Sequence, residues 1–356
     1  MSKELNILQD EAIALLKKLI ATPSFSKEED KTADILAAYL YEKGIAHQRV
    51  GNNIIAHNKY YDAEKPTILL NSHHDTVKPN KGYTLDPFDP IEKDGKLFGL
   101  GSNDAGGCLV SLISVFTHYY NNQNGRHNII FAATAEEEIS GIGGIELTVP
   151  QLPPVDAAIV GEPTKMQMAV AERGLMVLDC TSHGRAGHAA RNEGENAIYK
   201  ALQDIDWFRN YRFEKVSPLL GPCMMTVTVI ETENKAHNVV PPQCKFVVDT
   251  RINECYSFEE VIDIIREHVT VEVKPRSTRL RSTSISLDHP LVKAGLQLGR
   301  TCYGSPTTSD KALMPFPALK MGPGDSARSH TADEFIFTDE IREGISLYIQ
   351  LLNQLL

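Results

Sequence analysis

The segment that most constrains this chain is Asn128–Ala133, an apolar run of Ile, Phe and Ala behind a single Asn. It is too short for a helix, and it has the composition of a strand buried on both faces. The run leads into three consecutive acids, Glu136, Glu137 and Glu138, and then into the glycine-punctuated segment Gly141–Gly144. An acidic triplet in isolation reads as a solvated loop. At the C-terminal tip of a buried strand, the same triplet stands where an open α/β sheet places its chemistry. The rest of the chain decides between these readings.

Leu5, Leu8, Ala12, Leu15, Leu16 and Leu19 recur at helical spacing and predict a first helix that stops before Thr22-Pro23. A second helix is expected over 31–43, capped by Gly44. Strands are expected at 53–57, 67–71, 128–133 and 157–161, with a helix from Asp104 to Tyr120 between the second and third. Strands alternating with helices predict a layered α/β domain around a mainly parallel sheet. From Arg173 the pattern becomes strand 174–181, helix 196–211, strands 224–231 and 245–250, a helix opened by the capping box Ser257–Glu260, and strand 269–274. This β-α-β-β-α-β order predicts a ferredoxin-like α+β domain inserted at 173–283. The α/β domain then comprises 1–172 and 284–356, resuming with helix 290–303, strand 318–321 and a final helix 338–355. A length of 356 residues suits about two such domains.

The net charge of −10 argues against nucleic acid or an anionic membrane as partner, since both require clustered Lys and Arg. Six scattered cysteines, with no CxxC pair, are expected to be reduced thiols of a cytoplasmic protein. Acids interrupt the first twenty residues, which do not read as a signal peptide. No run approaches the roughly 18 apolar residues of a membrane span.

Several motifs then gather around the acidic triplet. Strand 67–71 leads into Ser72-His73-His74-Asp75, and on a strand His73 and Asp75 project to one side. A carboxylate beside a histidine fixes the imidazole tautomer, as metal-binding histidines require. Gly99-Leu100-Gly101-Ser102-Asn103-Asp104 brings an acid to a glycine-rich turn and is expected to open a helix. Its last position spoils a dinucleotide fingerprint, and the chain has no P-loop, HExxH or GxSxG. Gly161-Glu162-Pro163-Thr164 and Ser329-His330-Thr331-Ala332-Asp333-Glu334 complete the set. Two histidines and several carboxylates at strand ends of one domain suit zinc or a similar divalent ion in a hydrolytic centre. A phosphate-directed site would show more Arg or Lys near these motifs.

In order and spacing, NSHHD (71–75), GLGSND (99–104), TAEEE (134–138), GEPT (161–164), GRAGH (184–188) and GPGDSARSHTADE (322–334) make the chain resemble the di-zinc aminoacylase and exopeptidase family. The resemblance lies in the branch of acetylornithine deacetylase and succinyl-diaminopimelate desuccinylase and covers nearly the whole length. It implies two zinc ions, replaceable by cobalt or manganese, bridged by Asp104. His73 and Glu162 would complete one ion, and Glu137 and His330 the other. Glu136 is then expected to be the general base, and Asp75 to orient His73. His188 would stabilise the oxyanion, presented across a homodimer formed by the inserted domain. Asn238 and Arg251 would meet the substrate α-carboxylate, and Gly322 and Gly324 would bring backbone N–H groups to the substrate. Two departures stand out: Asp104-Ala105-Gly106-Gly107-Cys108 lacks the lysine of the common Asp-x-Lys-Gly-Gly, and His74 is an additional imidazole. The implied substrate is a small N-acyl amino acid, first N-acetylornithine, with N-succinylornithine, N-acetylcitrulline, succinyl-diaminopimelate or a dipeptide as alternatives.

Overall fold

A computed structural model describes residues 3–191 and 193–356. The chain forms two compact units: one of the residues up to Val170 with Ile285–Tyr303 and Ser309–Leu356, the other of Ala171–Ser284 with Gly304–Thr308.

In the first unit, helices α1 (Lys3–Ile20), α2 (Asp30–Glu42) and α3 (Gly107–Tyr119) accompany strands β1 (His47–Val50), β2 (Asn53–His57), β3 (Thr67–His73), β4 (Asn128–Thr134), β5 (Ala157–Val160) and β6 (Met168–Glu172). Strand β7 (Ala318–Lys320) and helix α4 (Thr338–Leu352) follow late in the chain. The strands order as β1-β2-β4-β3-β5-β7-β6. The centre is parallel, with β3 between β4 and β5 and β7 beside β5, and antiparallel strands flank it. This is the expected α/β class.

Alternation along the strands divides the core. Ile54, Ile68, Leu70, Ile129, Phe131 and Ile159 face one cluster, which is covered by α1, α3 and α4. Ile55, Leu69, Ile130, Ala158 and Val160 face another, covered by the short helix Ile145–Thr148 and by Leu313 to Phe316. Both faces are apolar, so β3, β4 and β5 are buried at every residue. The strand tips are left to carry polar groups.

Two expected helices are shorter than their sequence pattern. The helix expected from Asp104 begins only at Gly107, and Asp104 itself is extended, with φ −115° and ψ 99°. The buried Glu334 carboxylate draws the backbone N–H groups of Gly101, Asn103 and Asp104 to itself, so this turn cannot close as α-helix. The helix expected over 290–303 spans Pro290–Gln297 and ends at Gly299, whose φ is +73°.

The second unit is a four-stranded antiparallel sheet in the order Met224–Glu231, Gln243–Ile252, Gly174–His183, Glu272–Pro275. Helices Ala197–Asn210 and Phe258–His268 pack on it. The capping box Ser257–Glu260 is present with both of its hydrogen bonds. The chain order and this strand order are those of a ferredoxin-like fold.

Candidate metal centre

His73 is the last residue of β3 and is 1% exposed. Its Nδ1 lies 3.0 Å from the Asp75 carbonyl oxygen, which can only accept, so Nδ1 carries the proton. In the neutral ring Nε2 is thereby left with its lone pair, and it has no hydrogen-bond partner among the described residues. Three carboxylates surround that nitrogen: Asp104 Oδ1 at 3.4 Å, Glu162 Oε1 at 3.8 Å and Glu137 Oε2 at 3.9 Å. Burial opposes protonation of this imidazole, but Asp104 and Asp75 outweigh it and hold the ring well above its ordinary value.

Asp104 lies between two histidines. Its other oxygen, Oδ2, is 3.7 Å from His330 Nε2, which also bonds Glu138 Oε2 at 2.9 Å. The Glu138 hydrogen bond pushes His330 up to about 9. Burial pushes Glu162 up to about 8, with Asp104 and Glu138 adding to the effect and Lys320 opposing it. Burial also holds Glu137 well above the carboxylate range, helped by Glu162, Asp310 and Glu138. Ligand atoms of His73, Asp104 and Glu138 lie within 4.8 Å of one another, and so do those of His73, Glu137 and Glu162.

Four carboxylates crowd one pocket beside a buried imidazole nitrogen that no hydrogen bond satisfies. Such a donor set fits divalent cations, which would neutralise the carboxylates and take up the nitrogen lone pair. His73, Asp104 and Glu162 would hold one ion, and Asp104, Glu138 and His330 a second.

The acidic triplet is shifted by one residue from expectation. Glu136 has φ +55°, and its side chain turns away to accept from the Gly143 N–H at 3.3 Å. It is absent from both clusters. Glu137 and Glu138 enter the site instead, and His330 meets Glu138 rather than Glu137. Glu136 therefore lies at the turn and outside both clusters, whereas Glu137 stands beside His73 and Glu162.

Buried carboxylates outside the ligand set hold these turns. Asp75 accepts from the N–H groups of Glu137 (3.0 Å) and Glu138 (3.2 Å) and from the Ser26 hydroxyl (2.7 Å), besides facing His73. Glu334 accepts at 2.8–3.0 Å from the Asp104 turn. Sequence reasoning passed over Glu138 and Glu334, although both lie inside motifs it quoted. The third acid of a triplet and the second acid of Asp333-Glu334 were the available signals.

Gly322 does not offer its N–H to a ligand, because that group donates to Thr164 Oγ1 at 3.0 Å. A Cβ there would stand 2.6 Å from both Cys108 Sγ and the Glu162 carbonyl, so the residue serves close packing under Glu162. Gly324, at φ +87°, packs in the same way against Asn103. In the second unit, His188 is exposed and pairs with Val239, and the Asn238 carbonyl accepts from Ala189 at 3.0 Å, so His188 and Asn238 sit together. Arg251 is held by Asp249 through two bonds of 2.7 and 3.0 Å.

The fold and these donors define a metal-dependent hydrolase of the α/β class. Residues 69–354 match the profile of Peptidase family M20/M25/M40, and the chain belongs to that family. It is 28% identical to the acetylornithine deacetylase of Proteus mirabilis (strain HI4320), over 95% of this chain and 96% of that one. It is also 28% identical to succinyl-diaminopimelate desuccinylase 2 of Ruegeria sp. (strain TM1040), over 72% of this chain and 69% of that one. In fold it resembles a dinuclear metal binding peptidase of the M20 family from Bacillus subtilis, with a TM-score of 0.71 and 16% identity over 98% of each chain.

Proposed function

We propose that the protein is a dinuclear metal-dependent amidohydrolase that removes an acyl group from an N-acyl amino acid, with N-acetylornithine as first-choice substrate in arginine biosynthesis. The placement of Glu137 carries this reading. Its carboxylate lies 3.9 Å from His73 Nε2 in one cluster with His73 and Glu162, and burial holds it well above the usual carboxylate range. A carboxylate in this place can take a proton from an attacking water and release it again.

Two bound divalent ions, zinc by the resemblance, would polarise the acyl carbonyl and acidify water. Glu137 takes the proton of the attacking water as its oxygen bonds to the acyl carbon. It then passes that proton to the amide nitrogen as the C–N bond breaks, leaving a carboxylic acid and an amine. Asp75 keeps His73 in the tautomer that leaves Nε2 free for a ligand. His188, Asn238 and Arg251 are the proposed substrate contacts of the second unit. The homodimer is proposed to form through the strand Met224–Glu231, an edge strand of its sheet that exposes Met224, Val229 and Ile230.

The near end-to-end match to an acetylornithine deacetylase supports the acetyl substrate. The match to a desuccinylase at the same identity supports a succinyl substrate as the second reading. A cytoplasmic location is supported by six free cysteines, and among the described residues no helix is long and apolar enough to cross a membrane. Side-by-side release assays on N-acetylornithine, N-succinylornithine, N-acetylcitrulline and succinyl-diaminopimelate test the assignment. The expected result is the highest kcat/KM on N-acetylornithine. A succinyl preference would retain the chemistry and replace the substrate, and turnover of none by the zinc-loaded protein would overturn the reading.

A further inference from the structure

The side chain of Glu29, 1% exposed, lies beneath the acidic turn and belongs to none of the ligand clusters. One of its oxygens accepts from the backbone N–H of Glu136 at 3.2 Å and from that of Lys27 at 2.6 Å. The other accepts from Asn52 Nδ2 at 2.9 Å. The Asn52 carbonyl in turn accepts from His74 Nε2 at 2.9 Å, and His74 Nδ1 lies 2.9 Å from Thr32 Oγ1. The Thr32 hydroxyl is also 3.0 Å from the Glu29 carbonyl, which closes a ring. All of these groups come from the first 74 residues, and the ring's contact with the acidic turn is the Glu136 N–H.

Glu136 is the residue at which the triplet changes direction. A non-glycine residue at φ +55° is disfavoured unless its surroundings hold it there. An extended residue at this position would shift the acids by one place and send Glu136 toward the site instead of Glu137. We infer that Glu29 and His74 are positioning residues, forming a hydrogen-bonded ring that fixes the left-handed turn at Glu136 and so selects Glu137 and Glu138 for the site. The additional imidazole beside His73 thereby acquires a role: it clamps Asn52, which orients Glu29.

The inference rests on the dinuclear reading, and its test uses Co²⁺ alone as probe. Co²⁺ titration and visible absorption would be measured for the wild type, Glu29→Ala, Glu29→Gln and His74→Ala, together with thermal unfolding. Positioning predicts a selective loss. The ion on Asp104, Glu138 and His330 should weaken by on the order of 10- to 100-fold in Glu29→Ala. The ion on His73, Asp104 and Glu162 should keep its affinity. Glu29→Gln, which can still accept from Glu136, should recover most of the loss, and His74→Ala should fall between the two. Equal weakening of both ions in step with a lowered Tm would assign Glu29 a merely structural role and overturn the inference. Two ions bound with wild-type affinity and spectrum in Glu29→Ala would also overturn it. If Glu29→Ala does not fold, His74→Ala carries the same two readings. Failure of the wild type to bind a second ion would instead sink the dinuclear reading.

Discussion

Two neighbouring parallel strands, β3 and β4, end at the same site but deliver their side chains differently. His73 is the last residue of β3, opposite Thr134 in the register, so strand alternation alone sets its direction. β4 stops at Thr134, and its acids come only after a turn through the left-handed Glu136. A side chain on a strand is placed by counting in twos. One beyond a turn is placed by whatever fixes that turn, here Glu29, Asn53 and Asp75 from distant parts of the chain.

The sharpest contrast lies within the triplet. Glu137→Gln should bind both ions and lose on the order of 10³-fold in kcat, the scale of a lost general base. Glu136→Gln should stay within a few-fold of the wild type, because its carboxylate only accepts from Gly143. Glu138→Ala should bind a single ion tightly, because it removes the partner of His330. Metal content and kcat for the three variants separate these roles. A dead Glu136→Gln beside an active Glu137→Gln would restore the register expected from sequence.

This contrast also marks how much was legible in the sequence. The α/β class, the strands at 53–57 and 224–231, and the ferredoxin-like chain order all follow from local periodicity and composition. His73, Asp104, Glu162 and His330, which the fold brings together, each lie within a distinctive motif of the sequence. The triplet was ambiguous because three identical residues offer no internal register, and its turn depends on partners more than 60 residues away. The N-terminal end of α3 was misjudged for the same reason: Glu334, some 230 residues later, takes the N–H groups that would otherwise begin the helix.

Glu334 does for the Asp104 turn what Asp75 does for the triplet, which gives a second comparison of smaller amplitude. In Glu334→Gln the side-chain amide must turn its NH₂ toward either Gly101 N–H or the Asn103 and Asp104 N–H groups, so at least one donor loses its acceptor. If both proposed cation positions share Asp104, both affinities should fall together, on the order of 10- to 100-fold. Calorimetric titration with Zn²⁺ or Co²⁺ measures this. Loss of only one ion would mean that Asp104 does not lie between the two.

The smallest expected effect lies where the two strand tips are tied to one group. Asp75 faces His73 at the end of β3 and accepts the N–H groups of Glu137 and Glu138 beyond β4, while Ser26 donates to it from the segment before α2. In Asp75→Asn the amide NH₂ would point at backbone donors, so His73 and the triplet should both loosen, with cation affinity falling by on the order of 10- to 100-fold. Ser26→Ala removes a single donor from a carboxylate that keeps its backbone N–H groups and the imidazole. Its cost should therefore stay below about tenfold in cation affinity, the equivalent of ~1.4 kcal/mol. Measuring the two variants in parallel decides which donors orient Asp75. If Ser26→Ala weakens binding as much as Asp75→Asn, the hydroxyl sets the carboxylate and the turn follows it. If Ser26→Ala is nearly silent, the acidic turn and His73 hold Asp75 between them, and the two strand tips form one mutually supporting unit.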